Sequence, residues 1–211
     1  MAETVSNNNP PDTESRILIA AEQEFMAKGY AGARTTSIAE AAGVTHAMLH
    51  YYFRTKDKLF ERIIAEKTAL LKELMLGSID SSDLPLDTLI ATLISRHIDF
   101  IAANPGLPRF MVVEVFGNSE RLAVMRNQLI NYAPGFIADL QRRIDEDVKR
   151  GLCRKVDAVM LLIDIVSLNL FSFMSAPLFN AILGADFVGS PEFVELRKKE
   201  NIETIMRKLK P

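Results

Sequence analysis

The sequence predicts an all-α protein, and three observations lead there. Apolar residues recur at intervals of three and four along almost every long segment, as one face of a helix requires. What separates those segments is glycine, proline and short polar runs of the helix-ending kind. With 48% hydrophobic and 25% charged residues in 211, the chain can bury one sizeable core, or a small domain leaning on a larger one. That composition excludes disorder as the general condition.

The opening MAETVSNNNPPD, residues 1–12, has neither a basic stretch nor an apolar run, so it reads as a floppy arm rather than a signal peptide. A cytoplasmic location is expected. The first helix begins near Thr13 or Glu14, buries Ile17, Ile19, Ala20 and Phe25, and stops at Gly29, whose missing Cβ suits a left-handed cap. The second runs from Thr36 to Ala42, with the Thr36 hydroxyl as its cap. A third short helix follows Gly43, from Thr45 to Tyr52. A fourth, from Thr55 to Leu76, is long enough to bridge two parts of the molecule.

Beyond the loop GSIDSSDLP, an amphipathic helix is expected from Leu86 to Ala103, ended by Asn104-Pro105, and then a segment from Leu107 to Phe116. Ser119 to Arg150 is one long pattern that Pro134-Gly135 should kink or split. Val156 to Ser175 is apolar almost all round, and Pro191 to Lys210 is a charged amphipathic helix with proline in its first turn. Val159 to Phe179 has the length of a bilayer span, but Asp164 alone would cost ~2.5–3.5 kcal/mol on an insertion scale, and no basic flank marks a cytoplasmic side. The expectation is a helix held between the core and a partner subunit, with no membrane.

Net charge is −2 with a pI near 6.0, which gives no global reason to expect a nucleic-acid partner. Local placement differs. From Arg34 to Lys58 there are four cations, Arg34, Arg54, Lys56 and Lys58, against Glu40 and Asp57. Within this stretch Leu49 and Phe53 are four apart and should face inward, which turns His46, Ala47, His50 and Tyr51 outward. Two imidazoles, a methyl and a phenol make an odd solvated face but suit a DNA major groove, where Ala47 and Met48 can also touch thymine methyls. Arg34, Thr35, Thr36, Thr45, Tyr52 and Lys56 supply cations and hydroxyls around it, at helix N-termini that favour anions. His46 and His50 also have the spacing of two zinc ligands. Ala47 stands where a zinc-protease motif has glutamate, and only Asp57, beyond a turn, offers itself as a third ligand, so no metal is expected.

The stretch TTSIAEAAGVTHAMLHYYFRTKDKLFERI resembles the TetR family of bacterial transcriptional regulators. The features that match are the turn Gly43-Val44-Thr45, the run Leu49-His50-Tyr51-Tyr52-Phe53, the start Thr55-Lys56-Asp57-Lys58-Leu59, and upstream Phe25, Gly29 and Tyr30. The resemblance covers about residues 13 to 62; beyond that only helical pattern and length agree. It implies a helix-turn-helix DNA-binding head (residues 13–55) and a larger helical regulatory and dimerisation domain (56–211), joined as a homodimer that binds double-stranded operator DNA. It places His46, Ala47, Met48, His50 and Tyr51 in the groove and Thr36, Thr45, Tyr52 and Lys56 at phosphates. Two positions depart from the usual pattern. His50 stands where tyrosine commonly follows the leucine, and Arg54 where proline or glycine is frequent.

In the remaining helices, His97, Phe100, Phe110, Met111, Glu114, Met125, Phe136, Asn169 and Phe173 are the candidates for lining a small-molecule effector site. Methionine and aromatic stripes at helical spacing also simply fill bundle cores, and a lone histidine among them also serves as a hydrogen-bonded core residue. Two segments, Val156–Phe173 and Phe193–Met206, are expected to pair the protomers. An enzyme is not expected. The single cysteine, Cys153, lies beside Arg154 and Lys155 and far in sequence from any histidine, and no GxxxxGK phosphate loop occurs. No cofactor follows from the sequence. A protein-binding adaptor is the other reading that stays open, and a gel shift with the DNA upstream of the protein's own gene separates it from a regulator.

Overall fold

The computed structural model describes residues 12–76, 84–184 and 186–211. The expected arm, save Asp12, and residues 77–83 of the expected loop lie outside them. Among the described residues there are eleven α-helices, one π-helical segment and no strand. The chain divides into two compact units, Met1–Ile64 and Ala65–Pro211, and α4 carries residues of both.

The first unit is built from α1 (Thr13–Gly32), α2 (Thr35–Ala41), α3 (His46–Phe53) and the start of α4 (Lys56–Leu76). Asp12 caps α1, its carboxylate accepting the Ser15 amide hydrogen at 2.7 Å. The helix breaks at Gly29, where φ is 67°, and resumes to Gly32. Ile17, Leu18, Ala20, Ala21 and Phe25 form its buried face. Ile19, expected there, is 53% exposed: at about 100° per residue it points away from the arc that those five share. Phe25, Tyr30 and Phe60 then close the core of the head, Phe60 meeting the other two edge to face at 4.9 and 5.1 Å.

The second helix departs from expectation at its start. Arg34 is the last extended residue (φ −123°, ψ 130°), so α2 begins at Thr35, two residues earlier than a Thr36 cap would require, and no side chain caps it. Gly43, at φ 65°, supplies the left-handed turn into α3, with the Val44 amide donating back to the Ala39 carbonyl. Thr45 is the cap of α3; its hydroxyl accepts from the Met48 amide at 3.2 Å. Thr55 does the same for α4 through the Lys58 amide.

The second unit contains α5 (Leu86–Ala103), α6 (Leu107–Phe110), a π-helical continuation Met111–Phe116, α7 (Ser119–Leu129), α8 (Ala133–Lys149), α9 (Ala158–Met174), α10 (Ala176–Leu183) and α11 (Pro191–Leu209). The long 119–150 pattern is split, but at Ile130–Tyr132, because Pro134 is accommodated in the first turn of α8 rather than inside a helix. The helix expected to reach Ser175 ends at Met174, and a further helix that the periodicity had not indicated, α10, follows with Pro177 in its first turn. Packed together, α5, α9 and α11 make the core. The stripe Ala158, Leu161, Ile165, Asn169 and Phe173 of α9 is buried, while Val159, Met160, Ile163, Val166 and Phe171 on its other side are exposed. Among the described residues no single helix is long and apolar enough to cross a membrane; α9 and α10 pass only as a pair, bent by 52°.

Candidate nucleic-acid interface

On α3, burial of Leu49 and Phe53 leaves His46, Ala47, Met48, His50, Tyr51 and Tyr52 exposed, Tyr51 by 75%. Their side chains are partly organised by contacts of their own. The His46 ring stands edge-on to that of His50 at 4.4 Å, and its Nε2 lies 3.0 Å from the Thr35 hydroxyl, which joins the start of α2 to the start of α3. His50 turns its Nδ1 to the Arg54 carbonyl at 2.9 Å. Tyr51 and Tyr52 meet edge to face at 5.5 Å. Arg34 and Thr36 are exposed and Thr35 half-buried beside this face.

Lys56 is held rather than free. Its ammonium lies 4.5 Å from the centre of the Tyr30 ring, and the Tyr30 hydroxyl donates to Asp57 at 2.5 Å. Lys58 pairs with Glu61 at 2.7 Å, which offsets its charge locally. These Tyr30 contacts were not legible in the sequence, because they join residues 26 and 27 positions apart. Arg54 was also missed as a structural element. It closes α3 at φ 60°, a left-handed position that glycine occupies without strain, and thereby aims its carbonyl at His50.

The nine candidates in the body are distributed over several helices. His97 and Asn169 are brought together, with 3.2 Å between His97 Nδ1 and Asn169 Nδ2, and Asn169 Oδ1 accepts from Asn201 at 2.8 Å. Burial pushes the His97 imidazole down to about 4. Glu114 pairs with Arg121 at 2.8 Å, and Phe173 packs edge-on to Phe193. Phe100 and Phe110 are buried, while Met111, Met125 and Phe136 are half-buried. Two surface cavities of about 710 and 590 Å³ lie around α8, and none of the nine lines either. Among the described residues no group of three or more His, Cys, Asp or Glu is placed to hold a metal ion.

Comparison with known proteins agrees with this two-unit layout. The N-terminal model of bacterial regulatory proteins of the tetR family matches residues 17–63, and a tetracyclin repressor-like C-terminal domain matches 87–205. A nucleoid occlusion factor, SlmA, of Marinomonas sp. is 27% identical over 69% of this chain and 73% of its own. The HTH-type transcriptional repressor SCO4008 of Streptomyces coelicolor is 32% identical over 50% of this chain and 51% of its own. In fold, the chain is similar to the transcriptional regulator FadR from Bacillus subtilis, solved in complex with stearoyl-CoA. That likeness has a TM-score of 0.68 at 19% identity, over 92% of this chain and 97% of that one. With one model on the head and the other spanning more than half of the 211 residues, the chain belongs to the TetR family of transcriptional regulators.

Proposed function

We propose that the protein is a ligand-responsive repressor that binds palindromic operator DNA as a homodimer and is released by a small, mainly apolar effector. The observation that carries this reading is the exposed face of α3, where His46, Ala47, Met48, His50 and Tyr51 stand clear of the core with cations and hydroxyls beside them. Base-facing groups specify, and phosphate-facing groups position. His46→Ala and His50→Ala are therefore expected to change which bases are selected from a random DNA pool. Lys56→Ala should weaken all sequences about equally and lower the salt slope by about one. Sequence preference unchanged in both histidine variants would sink the assignment.

The repressor sense rests on the SCO4008 relative, whose name states it. The dimer rests on the exposed side of α9, which is apolar at Met160, Ile163 and Phe171, and on Leu196 of α11, within the segments Val156–Phe173 and Phe193–Met206. A surface of that kind gains by burial against its own copy, and two heads about 34–36 Å apart read a palindrome. Sedimentation is expected to give a dimer at micromolar concentration; a monomer that still binds operator would refute it. An apolar effector draws support from the stearoyl-CoA bound by the similar FadR fold. Linkage then requires that such a ligand bind the operator complex more weakly, by the factor by which it lowers operator affinity.

A further inference from the structure

His50 and Arg54 form a reciprocal clamp at the end of α3. The Arg54 amide donates to the His50 carbonyl at 3.0 Å, as the last turn of a helix requires. In the other direction, the Arg54 carbonyl lies 2.9 Å from His50 Nδ1. That second contact is possible because Arg54 sits at φ 60°, ψ −57°, which turns its carbonyl back toward the helix. A carbonyl oxygen only accepts, so Nδ1 must carry the hydrogen, and in the neutral ring Nε2 is a bare acceptor. Nε2 has no protein partner among the described residues, and the side chain is exposed. His46 differs, because its described partner, the Thr35 hydroxyl, both donates and accepts and so leaves the tautomer open.

We propose that the Arg54 carbonyl holds His50 as its Nδ1–H tautomer, so that the bare Nε2 reads an amino base, adenine or cytosine, at one position of each half-site. In the major groove adenine and cytosine offer exocyclic N–H donors, at N6 and N4. Guanine offers only N7 and O6, and thymine only O4 and a methyl. An acceptor facing a guanine or thymine leaves two lone pairs opposed and a polar group without its partner. This inference rests on the DNA-binding reading above and sharpens it from "contacts bases" to a stated chemical group, the exocyclic amine of an adenine or cytosine.

The test has two arms. Side-chain ¹⁵N NMR of the free protein at about pH 8.5, where imidazoles are generally neutral, should show the hydrogen of His50 on Nδ1. The opposite tautomer would overturn the proposal whatever the DNA result. Selection from a random pool at the same pH should fix one base pair per half-site that His50→Asn releases, and replacing the exocyclic amino group of that pair's adenine or cytosine by hydrogen should weaken wild-type binding at least about fivefold and His50→Asn binding much less. His50→Asn, whose amide can still donate to the Arg54 carbonyl but does not reach the Nε2 position, should lose that preference there. Arg54→Gly, which keeps the carbonyl and suits φ 60°, should retain it. Wild-type affinity that does not change when the amino group is removed at the pair that His50→Asn alters, or no alteration by His50→Asn, overturns the inference while leaving DNA binding intact. A wild-type pool that enriches no sequence overturns the DNA-binding reading and this inference with it.

Discussion

Asn169→Leu is expected to lower the stability of the protein by about 3 kcal/mol, the largest single effect anticipated here. Asn169 is fully buried on α9 and ties together three helices. Its amide faces His97 Nδ1 and the Ile94 carbonyl on α5, and its carbonyl oxygen accepts from Asn201 on α11. Leucine has the same branching and the same four side-chain heavy atoms, but it strands the Asn201 amide and the His97 nitrogen, each in a place that water does not reach. A stranded buried polar group costs about 1–3 kcal/mol. Asn201→Leu should be costly for the same reason, and the double variant less than additive, because the second replacement removes a group that the first had orphaned. Urea denaturation followed by circular dichroism, at one fixed protein concentration so that any assembly is held constant, measures all three. A loss below about 0.5 kcal/mol in Asn169→Leu would mean that the network contributes nothing to stability.

Acid should weaken the fold through His97 by a similar amount. Burial lowers its imidazole from 6.5 to about 4, so the folded protein resists the proton that the unfolded chain accepts. The stability tied to the neutral ring is therefore fully present above about pH 6.5, and it is lost as pH falls toward 4, by about 3 kcal/mol in all. Below that the folded ring protonates as well, and His97 adds no further loss. Asp139, held down first by its hydrogen bond to Arg142, works in a separate window: its contribution is present above the ordinary carboxylate value of 3.8 and lost below it. His97→Leu should thus flatten the stability profile between pH 6.5 and 4 without changing the fall at lower pH. A variant with the same slope as the wild type across that interval would assign the acid sensitivity elsewhere.

The helical class, the turn at Gly43, and the inward Leu49 and Phe53 with the outward His46, His50 and Tyr51 were all determined by the sequence itself, because each depends on residues within one or two helical turns of each other. Helix ends were legible where a single local signal acts alone, as at Thr45. They were misread where two signals compete, as at Thr36, or where a proline expected to kink or split a helix, Pro134, opens one. Contacts across the chain belonged to the tertiary structure alone. Which side of the uniformly apolar α9 is buried follows from the helices packed against it, and periodicity carries no information where every side is apolar. His97 was legible as a candidate, but its bond to Asn169, 72 residues away, and the lowered imidazole that burial produces depend on how three helices meet. The orientation of His50 is of the same kind on a shorter scale. Its spacing predicts exposure, but only the backbone angles adopted at Arg54 decide which of its two nitrogens is left to face outward.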